Sequence, residues 1–120
     1  MKRVKQILVI VWTFLVLAFL MSGATVTADE KKTGKDMYRE DCRVCHTEDS
    51  PNGDFTPMSL TMDQWKTFFK ERFKDKHKDV MFDREKKKLL EYMTPDELKE
   101  IEKYCVKHAA DSEQPQTCSE

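Results

Sequence analysis

Cys42-Arg43-Val44-Cys45-His46 places two thiols and an imidazole within five consecutive residues. The pattern is C-x-x-C-H, the attachment sequence for a c-type haem. The spacing has a chemical reason. Two thiols one short turn apart can add to the two vinyl groups of a porphyrin. The next residue, His46, is then held beneath the iron as the proximal ligand. A chain built this way must fold around a large, flat, mostly apolar group. Other readings of the cysteines are weaker. A redox dithiol normally sits in a βαβ setting, and no alternating strand pattern is present here. Half of a zinc site would need His77, His108, Cys105 or Cys118 as the other half, at irregular spacings.

The N-terminal stretch reads as a leader. Lys2, Arg3 and Lys5 form a basic start, and Ile7 to Met21 is uncharged. That run has the length of a secretory hydrophobic region and is short for a membrane span. Val26-Thr27-Ala28 offers small residues for cleavage before Asp29. The expected organisation is therefore a signal peptide over 1–28 and one domain over 29–120, exported to the periplasm. The alternative is an uncleaved leader holding the domain at the periplasmic face of the inner membrane. No cysteine lies near the cut, so lipoprotein processing is not expected.

Charge and size narrow the function classes. The chain has 21 Lys and Arg against 22 Asp and Glu. Removing the leader's three basic residues leaves 18 against 22, a net charge of −4. An acidic domain is poorly suited to nucleic acid, whose binding begins with phosphate neutralisation. The remaining stretch of about 92 residues is close to the limit for a self-sufficient apolar core. A disulfide, a metal or a large cofactor should help to hold it together.

The helical signals are local and clear. Gly34 to Cys45 reads as a helix with Met37 and Tyr38 as apolar points, and Thr47 to Pro57 is loop chemistry. Thr61 caps a second helix, with Gln64 completing a capping box and Leu60 and Trp65 forming a staple. Trp65, Phe69, Phe73 and His77 recur every four residues along one face, with Phe68 beside them. Lys66, Lys70, Lys74 and Lys78 form the wet rows. A short third helix is expected after Asp83, using Leu89, Leu90 and Tyr92. Thr94, Pro95, Asp96 and Glu97 open the last helix. Its inward stripe is Leu98, Ile101 and Cys105, flanked by Tyr104 and Ala109, with Met93 and Leu98 as staple. The expected fold is all-α, about four short helices around one haem.

Gly34-x-x-Met37-Tyr38-x-x-x-Cys42-x-x-Cys45-His46 resembles the N-terminal helix of a class I cytochrome c. Met93-Thr94-Pro95-Asp96-Glu97-Leu98 through Tyr104-Cys105-Val106 is similar to that family's C-terminal helix. The resemblance covers most of Gly34 to Ala110. It implies that the two helices cross closely, with Gly34 against Tyr104. It implies that the carbonyl of Pro57 accepts the Nδ1–H of His46, and that Leu60 packs on the haem. It also suggests Trp65 as a donor to a haem propionate, with a core aromatic as the other reading.

The sequence departs from this family at the sixth iron ligand. The usual methionine loop before the last helix is replaced by Arg84-Glu85-Lys86-Lys87-Lys88. Met93, Met62, Met58 and His108 have simpler roles in caps, packing or surface. His77 and Met81 remain, both after the second helix. His77 is favoured because it continues the aromatic stripe, and Met81 is the runner-up. Methionine ligation would raise the reduction potential relative to two histidines.

Cys105 and Cys118 read as a disulfide tethering the tail, a closed loop of about 13 residues contributing on the order of 3 kcal/mol. A regulatory thiol pair is the alternative. The lysine runs Lys74-Asp75-Lys76 and Lys86-Lys87-Lys88 are solvated faces or a docking rim for an acidic redox partner. No acid/base or nucleophilic constellation stands out, so an enzyme is not expected. The expected function is electron transfer by a monomer, with redox proteins as donors and acceptors. A five-coordinate haem gas sensor or peroxidase-like protein, and a haem-free interaction module, are the rivals.

Overall fold

The computed structural model describes Lys31 to Thr117 together with Arg3; the rest of the expected leader, and Cys118, lie outside the described residues. The chain divides into residues 1–30 and 31–120, and the second unit carries the fold described here. It is mostly helical with one small two-stranded ribbon.

Helix α1, Gly34–Met37, is capped by Thr33, whose hydroxyl accepts the Asp36 N–H at 3.2 Å while the Asp36 carboxylate accepts from Thr33. It runs straight into a π-helical turn, Tyr38–Cys42, closed by the Arg43 N–H on the Tyr38 carbonyl at 3.1 Å. Helix α2, Met62–Thr67, begins at the expected Thr61–Gln64 capping box. A π turn, Phe68–Arg72, then leads into α3, Phe73–His77, so the helix ends where the aromatic stripe predicts.

That π turn explains how a four-residue repeat stays on one face. In an α-helix such a repeat drifts by about 40° per step, or about 120° from Trp65 to His77. One extra residue in the turn rotates the next stretch of helix back by about 100°. The rings accordingly form a ladder: Trp65 to Phe69 at 5.8 Å, Phe69 to Phe73 at 5.4 Å and Phe73 to His77 at 4.3 Å between centroids.

The stretch after α3 corrects a purely all-α expectation. No helix starts at Asp83. Instead β1, Met81–Phe82, pairs antiparallel with β2, Lys87–Lys88, in the register Met81 to Lys88 and Phe82 to Lys87. Residues 83–86 form the turn, with Glu85 N–H on the Phe82 carbonyl at 3.0 Å and Lys86 in the left-handed region at φ 51°. A four-residue hairpin turn of this kind competes well with a helix start in so short a segment. The expected third helix is the single turn α4, Leu89–Tyr92.

Helix α5, Pro95–Lys107, carries the expected Thr94–Glu97 capping box with Pro95 in its first turn. Its inward residues Ile101 and Cys105 are fully buried. Helix α5 crosses α1 at Gly34, where the Tyr38 and Tyr104 rings lie 5.5 Å apart. The tail folds back over α2. Ala110 N–H bonds the Leu60 carbonyl at 3.1 Å, and the Asp111 carboxylate accepts the Met62 N–H at 2.7 Å, a second cap for α2. Cys105 sits as a free, buried thiol; the expected Cys105–Cys118 pairing involves a residue outside those described.

The hairpin is latched to α1 by charge. Arg84 Nη2 lies 3.1 Å from Asp41 Oδ1, over the Phe82 ring and within reach of the Tyr92 hydroxyl. Asp41 is only 6% exposed at its side chain, and burial raises its carboxyl above the ordinary range although Arg84 opposes the shift. Removing Arg84 strands a buried carboxylate, whereas Asp41→Asn leaves a half-exposed guanidinium that water can solvate. Arg84→Ala is therefore expected to lower the thermal midpoint at neutral pH more than Asp41→Asn. A raised folded-state carboxyl binds its proton before the unfolded chain does. The Arg84→Ala deficit should thus shrink as pH falls through the folded value toward about 4. Thermal scans of both variants across that pH range check the order and the sign.

Candidate functional site

The π turn of α1 and the loop after it position the C-x-x-C-H segment. Arg43 is the organiser. Its Nη1 donates to the His46 carbonyl at 2.6 Å and the Phe55 carbonyl at 3.0 Å, and it pairs with Asp54. Tyr38, buried in the core, donates its hydroxyl to the same Phe55 carbonyl at 2.6 Å. Asn52 Nδ2 donates to the Cys45 carbonyl at 3.3 Å, which Ser50 also reaches. A loop of small and polar residues is thereby pulled back onto the attachment segment.

His46 Nδ1 lies 3.3 Å from the Gly53 carbonyl. A carbonyl only accepts, so this bond places the proton on Nδ1 and leaves the Nε2 lone pair available. Here the structure corrects the Pro57 expectation. The carbonyl of Pro57, a fully buried residue, accepts the Trp65 indole N–H at 2.8 Å instead. Gly53, at φ +83°, takes the orienting role because its left-handed backbone aims its carbonyl at the ring. The same bond removes Trp65 as a propionate donor: its N–H is spent inside the core, and the residue is 3% exposed.

His46 opens onto a cavity of about 400 Å³, the size of an ordinary ligand pocket. Tyr38 and Cys42 line the α1 side, and Asn52, Phe55 and Leu60 the loop side. Trp65, Phe68, Phe69 and Phe73 supply an aromatic wall, closed by Lys76, His77 and Val80. Leu60 thus lines the cavity as expected. Cys45 is half-buried beside it and is not in the lining.

His77 and His46 both line this space, with ring centroids 6.1 Å apart and ring planes inclined at 67°. Its Nδ1 is 2.8 Å from the Phe73 carbonyl, so this nitrogen donates and Nε2 is again the free lone pair. Burial lowers the His77 pKa below the ordinary imidazole range, which favours the neutral, ligating form. Met81, the runner-up, is 52% exposed on β1 and lies outside the lining. Met93 is buried at the start of α5, Met58 is exposed, and His108 Nδ1 bonds the Gln114 carbonyl at 2.8 Å.

Two imidazoles at this separation are within the span of one shared metal ion. Metal–nitrogen bonds of about 2 Å, plus roughly 1 Å from each Nε2 to its ring centre, bring the centroids to roughly 6 Å. Burial pushes the Cys42 thiol up to about 12, with the Asp41 and Cys45 charges adding to the shift, whereas reactive cysteines have lowered values. Among the described residues no three His, Cys, Asp or Glu side chains converge on a metal position, as a zinc centre would need.

Comparison with protein-family models, with curated proteins and with solved structures finds no match for this chain. Among the described residues no helix is long and apolar enough to cross a membrane.

Proposed function

We propose that this chain is an exported electron-transfer protein carrying one covalent c-type haem, joined through Cys42 and Cys45 and ligated by His46 and His77. One observation carries the reading: two histidines, each with Nδ1 tied to a carbonyl and with ring centroids 6.1 Å apart, line one apolar cavity together with Cys42 of a C-x-x-C-H segment. The haem supplies the one-electron chemistry when bound. The chain's residues orient the two imidazoles, keep both ligand positions occupied and surround the group with aromatic rings. The Gly53 and Phe73 carbonyls are the outer hydrogen-bond partners that fix tautomer and ligand strength. The close crossing at Gly34 and Tyr104 supports a class I cytochrome c-like arrangement. Two histidine ligands suit a low-potential carrier rather than a methionine-ligated one.

On this reading the protein works in the periplasm, as a monomer exchanging electrons with redox proteins and without an enzymatic role of its own. The test is the mass and visible spectrum of protein exported from a host that matures c-type cytochromes. A mass higher by one haem, low-spin bands and no far-red iron–methionine band are expected. An unmodified mass would return Cys42 and Cys45 to another role. A far-red band would remove His77 as ligand.

A further inference from the structure

Beside the apolar cavity lies a second groove that shares Phe55, Leu60, Phe68 and Lys76 with it but not Cys42. Arg72 lines this groove, one turn before Lys76 on the same helix. Like charges at that spacing repel. Among the described residues neither Arg72 nor Lys76 forms an ion pair; Lys70 and Lys74 form none either, but they do not line the groove. The other charged side chain lining the groove is Asp63. It is 93% exposed and pairs with Lys66 at 3.4 Å. Two unmatched cations at the edge of an apolar slot call for an anionic ligand with an apolar body.

Building on the haem reading, we propose that Arg72 and Lys76 form the carboxylate clamp of this protein, holding the propionates of the ring whose opposite edge is tied at Cys42 and Cys45. The indole N–H of Trp65 is not free for that purpose, since it donates to the Pro57 carbonyl. Arg72 offers a planar fork suited to a carboxylate, and Lys76 a compact charge beside it. The two cations then become favourable instead of repulsive, and the cofactor enters the slot in one orientation. Positive charge at this edge also favours the reduced state, which carries one more negative charge.

The test uses the haem-loaded protein with Arg72→Gln, Lys76→Gln, Lys76→Arg and, as charge-matched controls on the exposed rows, Lys70→Gln and Lys74→Gln. The propionate bending band in the resonance Raman spectrum is expected to shift in Arg72→Gln and Lys76→Gln, and to stay in place in the controls and in Lys76→Arg. The reduction potential should fall further in the two clamp variants than in either control. Equal behaviour of clamp and control variants in a protein that does carry covalent haem overturns the clamp alone. A wild-type protein of unmodified mass overturns the clamp together with the haem reading.

Discussion

On the proposed haem reading, replacing His77 by alanine is expected to convert a six-coordinate, low-spin haem into one that binds carbon monoxide at least about tenfold more tightly. The reasoning is competition. An internal ligand that occupies its position more than about nine-tenths of the time weakens an external one at least about tenfold. Alanine removes the competitor, and among the described residues that wall of the cavity carries no other His, Met or Cys. His77→Met keeps a ligand and should raise the reduction potential, since a thioether favours ferrous iron. Met81→Ala should leave the spectrum unchanged, because Met81 is exposed and outside the lining. Carbon monoxide titration of the reduced proteins reads all three. A His77→Ala variant that stays low-spin and refuses carbon monoxide would reduce His77 to a packed aromatic stacked on Phe73 at 4.3 Å.

The contrast between His77 and Pro57 shows what the sequence could and could not convey. His77 was legible because the evidence for it is periodic. Trp65, Phe69 and Phe73 lead to it at fixed spacing, and a continuous helix turns that spacing into position. The caps at Thr61 and Thr94 were legible for a similar reason, since hydroxyl, spacing and acceptor all lie within four residues. The π turn at Phe68–Arg72 was not, although it is what keeps His77 in phase with Trp65. One extra residue in a turn leaves no mark on residue type.

The Pro57 carbonyl is not the one beside His46 because which carbonyl meets that ring depends on the path of a loop, not on a pattern. Arg43 and Tyr38 pull that loop in through bonds to the His46 and Phe55 carbonyls. Gly53 then arrives opposite the ring. The Asn52-Gly53 dipeptide was the signal to read, because it marks a left-handed turn. The hairpin at Met81–Lys88 was hidden for another reason. Two-residue strands are too short to display alternation, and Arg84 stabilises the turn through Asp41, 43 residues away. The clamp residues Arg72 and Lys76 look like the other solvated lysines and arginines in the sequence. Only the groove beneath them sets them apart.

Gly34→Ala is expected to be the most damaging single-methyl change in the domain. In an unobstructed helix the substitution would stabilise by about 0.5–1 kcal/mol, through propensity and the restricted unfolded chain. Here the sign reverses. A Cβ on Gly34 would overlap the carbonyl oxygen of Glu100, stand 2.9 Å from its carbonyl carbon and 3.1 Å from Tyr104 Cβ. Two of these atoms are backbone of α5, which cannot rotate aside as a side chain can. Relief therefore requires α1 to move off α5. Overpacking of this kind costs typically about 1–3 kcal/mol, so a net loss of about 2 kcal/mol and a fall of roughly 10 °C in the thermal midpoint are expected. The displacement also reaches the site, because the same continuous helix carries Tyr38, the Asp41 latch and Cys42. A moved α1 should disturb the Tyr38 bond to the Phe55 carbonyl and loosen the loop that orients His46. Lys35→Ala, one residue along and adding no atom at Cβ, is the control. Were Gly34→Ala as stable as Lys35→Ala, α1 and α5 could not cross at Gly34, and the architecture that brings Cys42 to the cavity would have to be redrawn.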